Sequence, residues 1–269
     1  MPFFTLKDGA KMFYKDEGKG NPPVLLVHGW TMNSWVWQNQ VPFLSKYYRT
    51  VALDLKGGGT SDKPQTRYTV RGFADEVDQL CDKLFVKEPF VLCTHSFGGY
   101  IGLTYATDPK LSKKLKGLIL CNTSYAAKGN PGIKMLLDGL KKGTFGPLKA
   151  FEDMFANLSF NAKFIREHKD LVKTWIDETM KCPDHVAVSW MESVFEEYDM
   201  TQKLGGIKVP VMIITSDTDG QQDPKQSYYM KEHIGNSQLV VLKPGIGHHT
   251  QMEAPDEFNK AIKGFIEKL

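Results

Sequence analysis

Short, mostly apolar runs recur along the chain and alternate with segments whose apolar residues have helical spacing. Runs of about four such residues, bounded by turn residues, predict strands that are buried on both faces of a sheet. With an opening pair of strands, the predicted strands lie at residues 3–6, 11–15, 24–27, 50–53, 90–93, 118–121, 211–214 and 239–242. Because strands and helices alternate, we predict an α/β fold with a mostly parallel sheet flanked by helices.

The pattern changes between about residue 125 and residue 206, where no convincing strand appears. Apolar residues recur there at intervals of three and four, which is the spacing of amphipathic helices. The stripes are Ile133, Leu136, Leu137 and Leu140; Phe151, Met154, Phe155 and Leu158; and Ala187, Met191, Val194 and Phe195. We therefore predict a core domain of residues 1–124 and 207–269, with a helical cap inserted at residues 125–206.

A cap above a sheet encloses a pocket, and we expect the walls of this pocket to be apolar. Most large apolar residues of the cap should pack against the core, and a minority should contact a ligand. The candidates are Phe145, Phe151, Trp175 and Trp190.

Composition and charge exclude several classes of protein. Of 269 residues, 41% are hydrophobic and 24% are charged, as in folded globular chains. The net charge of +3 predicts neither nucleic acid nor an anionic membrane as a partner. Four cysteines without a C-x-x-C pair suit a reducing compartment, and no segment reaches the roughly 18 apolar residues of a membrane helix. We expect a cytoplasmic protein and leave homo-oligomer formation open.

The most informative segment surrounds Ser96. A buried strand runs directly into this serine, which Gly98, Gly99 and a helical pattern follow. A sharp strand-to-helix turn of this kind exposes a nucleophilic hydroxyl at a helix N-terminus and requires small neighbouring residues. Thr94 stands where the G-x-S-x-G pattern has its first glycine. We predict that Ser96 is a catalytic nucleophile.

A serine nucleophile needs a histidine base and an acid that orients the histidine. Acidic residues follow the predicted strand at 211–214, at the sheet edge where α/β active sites form. Among them we favour Asp219, with Asp217 and Asp223 as alternatives. His248 follows the last predicted strand in a Gly-His step and is the predicted base, although His249 beside it could exchange roles with it.

The chain order of nucleophile, acid and histidine is that of the α/β-hydrolases, and other motifs of the chain resemble that superfamily. They are Val27-His28-Gly29-Trp30, the loop from Asp54 to Pro64 with its D-x-x-G-x-G-x-S-D-x-P pattern, and the segment from Gly247 to Pro255. The His-Gly-Trp step also resembles the non-haem haloperoxidase and perhydrolase branch, although Thr31 stands where that branch commonly has proline.

This resemblance implies an α/β-hydrolase fold and two further site residues. The backbone N–H groups of Trp30 and Phe97 would form the oxyanion hole. The chain departs from the family at Thr94, at Lys56, where arginine is common, and at Gly58, where histidine is common. None of these departures removes a catalytic group. By the same resemblance, a serine at the nucleophile position argues against epoxide hydrolases and haloalkane dehalogenases.

Other residues have simpler interpretations. His28 and His95 lie at strand ends and are expected to be structural. The Gly57-Gly58-Gly59 run matches no phosphate-binding motif, so we predict no nucleotide site. The predicted chemistry requires no cofactor and no metal.

The predicted function is that of a serine hydrolase, a carboxylesterase acting on small-molecule esters with small to medium acyl groups through an acyl-enzyme. A lactonase, thioesterase, perhydrolase or carbon–carbon bond hydrolase would use the same three residues. A small-molecule receptor on the same fold is a further alternative.

Overall fold

A computed structural model describes residues 2–85, 88–142 and 152–269. Its eight strands form one sheet in the order β1-β2-β4-β3-β5-β6-β7-β8, with β1, β2 and β4 paired antiparallel and all later pairs parallel. The strands are β1 (Phe3–Thr5), β2 (Lys11–Glu17), β3 (Val24–Val27), β4 (Thr50–Leu53), β5 (Phe90–His95), β6 (Leu115–Cys121), β7 (Val211–Ser216) and β8 (Ser237–Leu242). The predicted α/β fold is confirmed, and several strands extend beyond their predicted ends.

Helices cover both faces of this sheet. They are α1 (Gln40–Leu44), α2 (Val70–Leu84), α3 (Phe97–Thr107), α4 (Pro131–Lys142), α5 (Glu152–Ser159), α6 (Ala162–Glu167), α7 (Lys169–Thr179), α8 (Asp184–Glu197), α9 (Lys225–His233), α10 (Thr250–Glu253) and α11 (Pro255–Ile266). In the described part of the chain, no helix combines the length and apolar character that crossing a membrane requires.

Alternate residues of the central strands supply two separate cores. In β3, Leu25 and Val27 pack with α2 and α3, whereas Val24 and Leu26 pack with α1 and α11. Successive side chains of a strand point to opposite faces, so a strand buried on both sides must be apolar throughout. This requirement explains why the strands could be recognised from uninterrupted apolar runs.

The chain between β6 and β7 contains α4 to α8. Among its described residues the only β-pairing is an isolated bridge between Ala126 and Asp199. Two members of the predicted apolar stripes, Met154 and Leu158, are 46% and 40% exposed, so that stripe is only partly buried. Phe151, from the same stripe, lies outside the described residues.

The Gly57-Gly58-Gly59 run allows a close approach between the core and α8. A Cβ on Gly57, whose φ is +98°, would lie 2.6 Å from Cγ1 of Val186. A Cβ on Gly58 would lie 2.9 Å from the carbonyl oxygen of Met32. Gly57 and Gly58 therefore lack side chains because α8 and the segment at Met32 pack directly against their backbone.

Lys56, just before this turn, has a buried side chain. Its ammonium group contacts the carboxylates of Asp8, at 2.8 Å, and of Glu76 on α2. Burial raises the pKa of Glu76 to about 7, although the contact with Lys56 acts in the opposite direction. The lysine that replaces the family's common arginine thus ties the first hairpin to α2.

We predict that Glu76 makes the stability of the protein depend on pH. Between pH 4.5 and pH 7 the folded protein holds a proton that the unfolded chain has released, so stability falls as pH rises. Glu76→Gln cannot titrate. The free energy of unfolding of the Glu76→Gln variant, minus that of the native protein, should therefore rise by about 3 kcal/mol from pH 4.5 to pH 7.

Denaturant unfolding of both proteins at several pH values measures this change. The comparison cancels the contributions of the other titrating groups, including the buried histidines. A difference in unfolding free energy that stays constant with pH would show that Glu76 has an ordinary pKa.

Candidate active site

Ser96 lies between β5 and α3 in a strained backbone conformation. Its φ of 52° and ψ of −118° are unusual for a residue other than glycine. The turn needs small neighbours because a Cβ on Gly98 would lie 2.7 Å from the carbonyl oxygens of Val27 and His28. Strain at a buried serine, maintained by close packing, is the geometry expected of a nucleophile elbow.

Thr94 fits beside this turn without displacing it. Its hydroxyl donates a hydrogen bond of 3.0 Å to the carbonyl oxygen of Ile119 on β6. Its methyl group faces Gly102 on α3, where a Cβ would lie only 3.0 Å away. In the family pattern, a glycine at the position of Thr94 leaves space between strand and helix. Here Gly102 on α3 provides the space that the side chain of Thr94 occupies.

The predicted base and acid form a buried pair. Nδ1 of His248 lies 3.0 Å and 2.9 Å from the two carboxylate oxygens of Asp219. Burial by itself would raise the pKa of Asp219. The charge and hydrogen bond of His248, with the backbone N–H of Gln222 and the side chain of Asn122, outweigh burial and lower this pKa. Asp219 is therefore an ionised acceptor that holds the proton of His248 on Nδ1 and leaves Nε2 free to act as a base.

The two alternative acids have other partners. Asp217 accepts a hydrogen bond of 2.8 Å from the hydroxyl of Tyr228. Asp223 accepts one of 3.0 Å from the backbone N–H of Lys225 at the start of α9. Of the three candidates, the structure brings only Asp219 to His248.

Asn122 is a site residue that sequence reasoning missed. It follows β6 with a φ of 46°, and its amide donates a 2.9 Å hydrogen bond to Asp219. Its carbonyl oxygen accepts one of 2.7 Å from the hydroxyl of Thr250, just beyond the histidines. Asn122 thus bridges the acid loop and the histidine loop. No sequence motif marks it, although asparagine tolerates positive φ better than most residues.

Ser96 and His248 line the same small cavity. Among the described residues, no hydrogen bond joins the hydroxyl of Ser96 to the imidazole of His248. Such bonds are often long without substrate and tighten when it binds. The cavity has a volume of about 10 Å³, which is room for about one water molecule.

The remaining histidines near the site are held in neutral forms. His28 accepts a 2.9 Å hydrogen bond from the backbone N–H of Leu55, and burial lowers its pKa. His95 donates from Nε2 to the carbonyl oxygen of His248, and burial lowers its pKa to about 3. His249 packs against Phe160, which follows α5, and burial holds the pKa of His249 well below the usual range.

His248 differs from these three neutral histidines because it pairs with a carboxylate, that of Asp219. The structure therefore supports the structural interpretation of His28 and His95. It also gives no acid partner to His249 among the described residues.

Both predicted oxyanion-hole residues contact α8. The indole N–H of Trp30 donates a 2.8 Å hydrogen bond to the carbonyl oxygen of Ala187. The ring of Phe97 stacks on Trp190 with centroids 5.1 Å apart. Phe97 is the first residue of α3, where backbone N–H groups have no acceptor within the helix. The oxyanion-hole role of Trp30 and Phe97 stays a prediction.

The walls of the cavity combine apolar and polar side chains, so the expected apolar wall covers only part of it. Phe155 on α5 and Trp175 on α7 are apolar, whereas Gln221 adds an amide group and the histidines and Ser96 supply further polar atoms. Trp190 lies outside the lining and packs instead in the core beneath α8. Phe145 and Phe151, the other two candidates, lie outside the described residues.

Known proteins share this architecture and this sequence pattern. A sequence model described as the alpha/beta hydrolase fold matches residues 22–171. The chain is 28% identical to the non-heme chloroperoxidase CPO-A1 of Kitasatospora aureofaciens, over 100% of both chains. It is also 28% identical to the bifunctional esterase/perhydrolase DCH of Acinetobacter calcoaceticus, over 99% of both. A thermophilic esterase from Thermogutta terrifontis superposes with a TM-score of 0.89 at 26% identity, covering 99% of this chain and 98% of the other.

The chain therefore belongs to the alpha/beta hydrolase family, in the branch that contains non-heme haloperoxidases and esterases. It is an esterase-type hydrolase.

Proposed function

We propose that this protein hydrolyses carboxylic esters with small to medium acyl groups through an acyl-enzyme formed on Ser96. The observation that carries the proposal is the buried pair of Asp219 and His248, whose histidine lines the same cavity as the strained serine. A serine next to a histidine that an acid orients is the arrangement that activates a hydroxyl for attack.

In the first half of the reaction, the oxygen of Ser96 attacks the ester carbonyl carbon while His248 accepts the hydroxyl proton on Nε2. The carbonyl oxygen becomes an oxyanion, which the backbone N–H groups of Trp30 and Phe97 would stabilise. The tetrahedral intermediate then collapses. The alcohol leaves with the proton from His248, and the acyl group stays on the serine.

In the second half, His248 removes a proton from water, and the resulting nucleophile attacks the acyl carbon. Collapse of the second intermediate releases the carboxylic acid and returns the proton to Ser96. Asp219 holds the imidazole in the required tautomer and stabilises its positive charge in both halves. Asn122 keeps the carboxylate of Asp219 oriented toward the imidazole.

The cavity size predicts which esters react fastest. Because little space remains above Ser96, kcat/KM for p-nitrophenyl esters should be highest for acetate and should fall roughly tenfold by hexanoate. Phe155 forms part of the wall and packs edge-on against Trp30. Phe155→Ala should therefore raise the hexanoate-to-acetate ratio of kcat/KM by roughly tenfold.

The matched control is Phe164→Ala, because Phe164 packs on Phe160 and His168 outside the cavity lining. This control should leave the ratio unchanged. A ratio that Phe155→Ala leaves unaltered, or that both variants change equally, would contradict the assignment of Phe155 to the acyl pocket.

Perhydrolysis is a second candidate, favoured by the similarity to an esterase/perhydrolase over 99% of both chains. In this reaction hydrogen peroxide replaces water in the attack on the acyl-enzyme, and a peracid is released. Addition of peroxide to the ester assay and detection of peracid tests it. Formation of the carboxylic acid alone would leave hydrolysis as the activity.

The proposed partner is a small-molecule ester. We further propose a cytoplasmic location, because all four cysteines are buried and free, and free thiols persist in reducing compartments. Fractionation of cells that produce the protein tests this location.

A further inference from the structure

The passage from α5 to α6, which we call the cap junction, consists of Ser159 at the end of α5, Phe160 and Asn161. It lies directly on the loop that carries His248. The carbonyl oxygen of Ser159 accepts hydrogen bonds from the backbone N–H groups of His248, at 2.9 Å, and of His249, at 3.3 Å. The main chain of the cap therefore holds the main chain of the predicted base.

Glu253, the last residue of α10, joins the same two segments through its side chain. One carboxylate oxygen accepts a 2.9 Å hydrogen bond from the backbone N–H of Gly247. The other accepts a 3.0 Å hydrogen bond from the backbone N–H of Asn161. Burial raises the pKa of Glu253 to about 7 although these two N–H groups act to lower it. Both oxygens of Glu253 thus accept a hydrogen bond from a backbone N–H group, although burial disfavours the charged form of the side chain.

The two segments approach each other so closely at Gly247 that only glycine fits there. A Cβ on Gly247 would lie 2.8 Å from the carboxylate of Glu253, 2.9 Å from the carbonyl oxygen of Ser159 and 3.0 Å from the nitrogen of Asn161. The junction also contacts the acid loop, because the side-chain amide of Gln221 donates a 2.6 Å hydrogen bond to the hydroxyl of Ser159.

On the basis of the proposed function, we propose that Glu253 is a positioning residue that couples the cap junction to the imidazole of His248. Its two acceptor oxygens make the junction and the histidine loop move as one body. The helix that precedes the junction, α5, carries Phe155 in the cavity wall. A substrate that displaces Phe155 therefore changes the position of His248 relative to Ser96.

The kinetic test compares Glu253→Ala, Glu253→Gln and the native protein with p-nitrophenyl acetate. Alanine removes both acceptors, and kcat should fall by roughly 10- to 100-fold, with KM within about twofold, because a small displacement of the base impairs proton transfer. Glutamine keeps one carbonyl oxygen and its size, so its kcat should lie between the two. The matched control is Glu257→Gln on α11, which loses only a partly exposed ion pair with Lys243 and should retain native kcat.

Native kcat in both Glu253 variants, with only a lower melting temperature, would overturn the proposal by showing a merely structural role. A higher KM with unchanged kcat would also overturn it, because Glu253 would then shape binding rather than the base.

Hydrogen–deuterium exchange tests the coupling without any hydrolysis. In Glu253→Gln, backbone amides of residues 159–161 and of residues 247–249 should both exchange faster than in the native protein. In Glu257→Gln, neither segment should exchange faster than in the native protein. Faster exchange in one segment only, or in neither, would overturn the coupling. If the native protein shows no serine-dependent ester hydrolysis, the proposed function fails, and the exchange experiment still decides whether the two segments are coupled.

Discussion

Ser96→Ala is expected to lower kcat for p-nitrophenyl acetate by roughly 10⁴-fold or more, because no other described side chain in the cavity lining carries a hydroxyl or thiol nucleophile. Alanine is smaller than serine, so it fits the turn at Ser96 without a new contact. The variant should therefore fold and keep its thermal stability. Steady-state hydrolysis and thermal unfolding followed by circular dichroism measure both effects.

Ser112→Ala is the matched control for this experiment. Ser112 lies in a short helix just before β6, at the opposite end of that strand from the predicted active site. The Ser112→Ala variant should keep native turnover. If Ser96→Ala hydrolyses the ester as fast as the native protein, the acyl group is not transferred to Ser96. In that event, the receptor interpretation would gain weight.

Asp219→Asn is expected to lower kcat by roughly 10³- to 10⁴-fold with little loss of stability. The substitution preserves the shape of the side chain but places an amide donor beside Nδ1 of His248. The imidazole then carries its proton on Nε2, where it cannot accept a proton from Ser96. The buried imidazolium that forms during the reaction also loses its compensating charge.

The chain supplies two matched controls in the same loop. Asp217→Asn and Asp223→Asn remove carboxylates that bond to Tyr228 and to the backbone of α9, so both should keep kcat within about twofold of native. Measurement of kcat for the three variants in parallel distinguishes the acid that acts on the histidine from its neighbours. A large loss in either control, with native activity in the Asp219 variant, would reverse the assignment.

Two parts of the chain between β6 and β7 contact the predicted catalytic groups. Helix α8 contacts Trp30 and Phe97, whereas the cap junction contacts the loop of His248. Substrate binding in so small a cavity requires displacement of side chains such as Phe155 and Trp175. The segment between β6 and β7 is therefore connected to the parts of the site that would stabilise the oxyanion and transfer the proton.

Local pattern was sufficient for most of the fold. A parallel strand covered on both faces must be apolar at successive positions, so β3, β4 and the starts of β5 and β7 were recognisable from four residues each. The strand-to-helix turn at Ser96 was also recognisable, because its small neighbours are close in sequence. Strand ends were less certain, since the polar residues Thr94 and His95 continue β5, where backbone carbonyl oxygens of other segments accept hydrogen bonds from their side chains.

Loop conformation and long-range packing decided the remainder. Three aspartates followed β7, and only folding showed which carboxylate meets His248. Asn122 carries no local signal, because its partner Thr250 lies 128 residues away along the chain. Glu253 lies within the Gly247–Pro255 motif, but its contact with Asn161, 92 residues away, could not be predicted from that motif.

By itself, the sequence determined the α/β sheet, the strand-to-helix turn at Ser96 and the order of the candidate triad, because those features depend on the period of apolar residues and on small residues beside a turn. Only the tertiary structure decided the pairing of Asp219 with His248, the size of the cavity and the contact of the cap junction with the histidine loop. Those features depend on how distant loops pack against one another, and hydrogen bonds between backbone groups leave no mark on residue identity.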